Sequence, residues 1–362
     1  MAKPEIAKLP KAELHAHLEG TIAPAMAKKL AKKNGIDLPD DLFTDDGTGY
    51  RWDSDGTAAG DLVGFLKAYD KVAALIKTAD DYRDITCDYL KRCAAEGAIY
   101  EELIISADHG ASVGLSYQEM VDAIAAGVYQ AREETGIEAR LLSACVRHYG
   151  PDNAVKVAQQ TVDYPHELVT AFHMAGDENA HTVTDFAPAF KIASDAGLAT
   201  SAHAGEAAGP ESIRDVKEQL GCIRYGHMVR IIEDEDLMKE MQKFGAVPEV
   251  CVSSNLVMNV FQDYASHPLR KLFDEGFKVT LGSDDPPFFK TTIGQEYKIA
   301  AEEFGFTAEE LLQVTRNAVE AAFVDEATRE KLLKKIDDYA ADMKAVPSAG
   351  NAAQPGNREN RR

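Results

Sequence analysis

Short apolar runs alternate with longer amphipathic stretches along most of this chain. Eight β-rich runs, at 12–18, 98–105, 138–146, 168–175, 198–204, 222–229, 246–253 and 277–283, read as strands. Between them, 115–136, 152–164, 184–197 and 233–245 carry apolar residues at helical spacing. The first of these ends on Gly136, which suits a C-terminal cap. The last opens with acids and closes on Lys243 and Gly245, as a helix dipole favours. Strands alternating with helices predict a parallel sheet with crossover helices. Eight such units predict an α/β protein closed into a (β/α)8 barrel.

The first unit breaks the rhythm. About 80 residues separate the first run from the second. Within them, 41–60 is rich in Asp and Gly and reads as an irregular loop, and 61–94 reads as helices. An insertion after strand one of a barrel lies over the catalytic face, because the βα loops gather there. A plain surface excursion is the alternative. At the other end, 307–345 reads as a helical extension. The organisation expected is one barrel domain over 1–345 and a disordered tail over 346–362, which has few apolar residues.

Length agrees: a barrel takes about 250 residues before insertions, and this chain has 362. A net charge of -21 argues against nucleic acid and against anionic membrane surfaces. Five scattered cysteines with no CxxC pair suggest neither a disulfide framework nor a cysteine zinc site. No secretory leader and no apolar run long enough to span a membrane is visible, so the expectation is a reduced, cytoplasmic protein.

The candidate chemistry falls at the ends of the predicted strands. His15 and His17 alternate on the first, so they share a face. His203 and Glu206 close the fifth, His227 closes the sixth, and Asp284-Asp285 follows the eighth. Singly, each has a bland reading: exposed strand histidines, a buried core histidine, turn-forming acids. Together they occupy the positions from which barrel enzymes build their sites. His15, His17, His203 and one Asp make a three-nitrogen, one-oxygen set that suits a single Zn2+ with room for water. Such an ion lowers the pKa of its water towards about 7. Glu206 and His227 remain as acid–base groups.

The stretches LPKAELHAHLEGTI (9–22), MAGDE (174–178), SAHAGE (201–206), GH (226–227) and LGSDDPPFFKTTIGQEY (281–297) together resemble the adenosine deaminase family of metal-dependent barrel hydrolases. The resemblance implies one zinc ion on His15, His17, His203 and Asp284, with His17 also beside the substrate. It implies that Glu206 donates a proton to purine N1, that His227 orients the attacking oxygen, that Asp285 bonds N7 and that the Gly176 backbone bonds N3. It sets Glu19 near the ribose 5'-hydroxyl. Leu62, Phe65, Leu66 and Tyr69 would form the apolar wall and gate, although their i, i+3, i+4, i+7 spacing equally fits core packing. Three residues depart from the family pattern: Met228 where Gly is usual, Val252 where Pro is usual, and Ile104 where Arg is frequent.

The activity this implies is zinc-dependent hydrolytic deamination of adenosine and 2'-deoxyadenosine, in purine salvage or catabolism. The partner expected is a small purine nucleoside. Alternatives are deamination of adenine, aminodeoxyfutalosine or N6-substituted AMP. A barrel retained for binding alone, or a two-metal hydrolase, stands further off. The latter often needs a bridging lysine, and the candidate strands at 138–146 and 168–175 contain none.

Overall fold

The computed structural model describes residues 6–53 and 58–345. Eight strands appear where the apolar runs fall: β1 Lys11–His17, β2 Ala98–Ser106, β3 Glu138–Val146, β4 Val169–Ala175, β5 Ala199–Ala204, β6 Arg224–His227, β7 Val247–Val250 and β8 Thr280–Leu281. Each pairs in parallel with the next, in chain order. The seam between β8 and β1 is closed by two backbone bonds. His17 N–H reaches Asp284 O, and Asp284 N–H reaches His15 O, both at 3.0 Å. The (β/α)8 expectation is met, and its closing seam carries three of the candidate ligands. The tail expected over 346–362 lies outside the described residues.

The later strands are shorter than their apolar runs. β6 stops at His227, because His227 and Met228 both turn left-handed, at φ 63° and 57°. The run at 246–253 stops at Val250, and a helix, Val252–Val257, follows at once. The buried Glu296 carboxylate accepts from Val252 N–H and Ser253 N–H, at 3.1 and 3.4 Å, and so caps that helix. β8 retains two residues of 277–283. Burial continues past the ladder, so the apolar pattern overstates strand length.

Helix boundaries follow capping chemistry. Ser116 with Glu119 and Thr307 with Glu310 form capping boxes, and Gly136 ends Tyr117–Thr135 in the left-handed region. The insertion after β1 contributes the helices Pro24–Asn34, Ala58–Ala73 and Ala79–Ala95. The second starts inside the stretch expected to be loop. Its Phe65 ring stacks on Phe289 at 5.3 Å and meets Phe288 edge-on at 5.4 Å. Trp52 and Tyr50 pack against the same Phe288, at 6.2 and 4.6 Å. This aromatic seam ties the insertion to the loop after β8, over the C-terminal mouth of the barrel.

The C-terminal extension forms two helices, Ala308–Ala321 and Glu326–Ala345. Arg329 donates to the carbonyls of Val319, Glu320, Ala322 and Val324, which caps the first helix from the second.

Candidate active site

A cavity of about 110 Å³ opens at the C-terminal ends of the strands. His17, His203, Glu206, His227, Asp284 and Asp285 line its floor. His15 lies just beneath, fully buried. The structure thus brings together every candidate ligand and acid–base group, from β1, β5, β6 and the end of β8. His15 Nε2 sits 3.1 Å from His203 Nε2 and 3.6 Å from Asp284 Oδ1. His17 Nε2 is 3.3 Å from the same Oδ1.

Two of these groups, His15 and Asp284, are aimed by partners behind them. His15 Nδ1–H donates to Glu249 Oε2 at 2.8 Å, which turns Nε2 towards His203 and Asp284. Glu249 also accepts from Arg224 Nε at 2.6 Å, and Arg224 reaches Glu102 at 2.7 Å. The Arg224 guanidinium lies 3.9 Å from the Phe323 ring centroid, wholly out of solvent. The Ser254 hydroxyl donates to Asp284 Oδ2 at 2.7 Å, so Oδ1 is the oxygen left for the histidines. Burial alone would strip a proton from His15, yet Asp284 and Glu249 outweigh it and raise its pKa to about 10. The pocket between them favours a positive charge. His15, His17 and Asp284 form one compact group and His203 adjoins His15, and three imidazole nitrogens with one carboxylate oxygen are a donor set that fits zinc.

The acid–base groups are tuned in opposite directions. Burial, then the negative charges of Asp284 and Glu178, push the Glu206 carboxyl well above the usual range and favour its protonated form. Burial pulls His227 down to about 3, so it is neutral. Its Nε2 faces the Glu206 carboxyl at 3.4 Å. Asp285 is likewise pushed well up, by burial first and then by Asp284. Its Oδ1 is buried without a partner among the described residues. A Cβ at Gly20 would sit 1.6 Å from that oxygen, so any side chain there would displace the Asp285 carboxyl.

Above the floor, Leu62, Phe65, Leu66 and Tyr69 of Ala58–Ala73 line the cavity, and the same residues pack on the insertion. The same spacing thus serves the cavity lining and the packing. Glu19 lines the wall, where its carboxylate accepts from Ser106 N–H at 3.3 Å. Gly176 adopts φ 93° after β4 and borders the cavity. His109 faces Asp70 across the mouth at 3.5 Å.

The three departures acquire physical accounts. Met228 holds the left-handed conformation that glycine adopts freely, and its side chain is completely buried rather than turned outward. Val252 opens a helix, where proline is comfortable, but uses its N–H on Glu296. Ile104 lines the cavity and packs with Leu142, Ala144 and Ala171.

Several site residues escape the sequence reading. Glu178, inside the recognised MAGDE stretch, accepts from the N–H groups of Gly205, Glu206 and Ala208 and from the Ser212 hydroxyl, at 2.5–3.1 Å. It holds the turn that presents Glu206. His173 on β4 bonds Ser201 at 2.7 Å, and its ring lies 5.0 Å from that of His203. The charged chain Glu102–Arg224–Glu249 gives itself away only as ionic side chains within apolar strands.

A parallel eight-stranded barrel with this histidine–carboxylate floor defines the class of metal-dependent barrel hydrolases. The chain belongs to the adenosine deaminase family, whose model matches residues 10–339. It is 45% identical to an adenine deaminase of Rhizobium meliloti, over 91% of this chain and 99% of the relative. It is 46% identical to an adenine deaminase of Sinorhizobium medicae, with the same coverage. Among solved structures, the adenine deaminase of Arthrobacter aurescens superposes with TM-score 0.83 at 27% identity, covering 92% of this chain and 99% of that one. An amidohydrolase from Burkholderia ambifaria, solved with bound zinc, superposes with TM-score 0.82 at 26% identity, covering 94% of each chain. The protein is a hydrolytic deaminase of this family.

Proposed function

We propose that this enzyme hydrolyses adenine to hypoxanthine and ammonia. Adenosine, first among the substrates expected from the sequence, gives way to the alternative named beside it. The observation that carries this is the size and lining of the cavity. At about 110 Å³ it is well under the roughly 300–1,000 Å³ typical of drug-sized ligands. It is nearer to the roughly 150 Å³ space that admits a single benzene ring. The adenine deaminases related to this chain support the same reading. Among the described residues no Lys or Arg lines the cavity, and Glu19 and Asp70 do, which disfavours a nucleoside phosphate.

The roles follow from protonation and position. His15, His17, His203 and Asp284 would hold zinc, which supplies Lewis acidity that activates water. Protonated Glu206 donates to ring N1 and makes C6 more electrophilic. As a carboxylate it then takes a proton from water and passes it to the leaving amine. His227 hydrogen-bonds the attacking oxygen. Neutral Asp285 donates to N7, and Gly176 N–H donates to N3. The apolar roof excludes bulk water and strengthens these bonds. Purified zinc-loaded protein should convert adenine with kcat/KM at least 100-fold above that for adenosine, followed by ultraviolet absorbance. Equal or better turnover of adenosine, or of N6-methyl-AMP, refutes the proposal.

A further inference from the structure

Behind His227 runs a buried chain of hydrogen bonds, and its direction can be read from one end. The backbone N–H of Leu269 can only donate, and it reaches His267 Nδ1 at 3.3 Å. His267 Nδ1 is therefore an acceptor. His267 is buried, and burial pulls its pKa down to about 3. A neutral imidazole carries one N–H, so that hydrogen sits on Nε2. His267 Nε2 lies 3.2 Å from Asn255 Oδ1, which must accept. The amide nitrogen of Asn255 then faces His227 Nδ1 at 3.2 Å and must donate. The reverse amide orientation would set NH2 against N–H at one end and C=O against the other ring, which costs a bond in a site where Asn255 has no solvent contact. His227 Nδ1 is thus an acceptor, and the ring's proton is on Nε2, the atom that faces Glu206 at 3.4 Å.

We propose that Asn255 and His267 are positioning residues that fix His227 in the Nε2–H tautomer, so that it presents a hydrogen-bond donor to the cavity. This rests on the reading of His227 as the group that holds the attacking oxygen. A ring fixed this way cannot accept a proton at Nε2. It holds the oxygen in place, and proton transfer is left to Glu206. Locking a catalytic histidine in the wrong tautomer is known to cost up to about 10⁴ in kcat.

The test is nitrogen-15 NMR of histidine-labelled, zinc-loaded protein near neutral pH, with the His227 signals assigned by their loss in His227→Gln. Protonated Nε2 with unprotonated Nδ1 is expected. Asn255→Asp offers a carboxylate to both rings and should move the His227 proton to Nδ1. It should lower kcat at least 100-fold, with KM and zinc content within threefold. His267→Gln can still donate to Asn255 and should keep the wild-type tautomer and kcat within tenfold. His267→Leu cannot donate, and should give mixed tautomers and a larger loss. A His227 proton on Nδ1 in the wild type overturns the proposal. So does an unchanged tautomer in Asn255→Asp, or equal behaviour of the two His267 variants. None of these tautomer readouts depends on which purine is turned over, so they stand or fall apart from the substrate assay.

Discussion

The floor and the roof of the cavity are built on different physics. Three polar groups of the floor are each held by a second one: His15 by Glu249, Asp284 by Ser254, His227 by Asn255. The roof is one helix of the insertion, packed by ring stacking and, among the described residues, by the loose pair of His109 with Asp70. Charges in a dry site act only if their angles are fixed, whereas an apolar cover needs shape alone. The contrast teaches that turnover should be sensitive to the floor and substrate choice to the roof.

The largest effect should come from the floor's proton donor. Glu206→Gln should reduce kcat about 10³-fold, within the usual range for a general acid, with zinc content unchanged by metal analysis. The wild-type rate should carry an alkaline limb for the same reason. Glu206 works protonated and its pKa is raised, so kcat/KM stays high below that raised value and falls as pH climbs through it. Its contribution to stability has the same sign: present below the ordinary carboxyl pKa and lost as pH rises through the folded value.

Next in size is the support behind His15. Glu249→Ala leaves Arg224 buried with one partner fewer, and should lower stability by about 3–5 kcal/mol in denaturant titrations. Zinc affinity should fall about 10–100-fold. If both stay unchanged, the floor is not held from behind as described.

The roof should respond in the other kinetic constant. Leu66→Ala removes apolar cover from a half-buried residue and should raise KM for adenine about tenfold, with kcat within threefold. A loss confined to kcat would erase the distinction between the two walls. Smallest of all, Asp70→Asn removes an ion pair whose acid is mostly exposed, and should change KM less than about fivefold.

The floor was largely legible in the sequence and its supports were not. His15 and His17 show themselves by alternation on one strand, and Asp284 by following the last apolar run. Arg224, Glu102 and Glu249 come from three separate strands, and which of them meet depends on register and tilt that no single run encodes. Asn255 sits in a helix that directly continues an apolar run, so the pattern gave no sign of the turn. The substrate was least legible. Size selection depends on how far one helix sits above the floor, and the i, i+3, i+4, i+7 pattern of Leu62, Phe65, Leu66 and Tyr69 is the same for a tight lid and a loose one.

The chain has a single tryptophan, and it belongs to the roof: Trp52 meets Phe65 at 5.8 Å and Phe289 at 6.2 Å. The protein therefore carries its own optical probe at the wall that covers the purine. Excited at the red edge of its absorption, it should change emission when a purine seats beneath the insertion helix, and stay silent to substitutions that disturb only the metal floor.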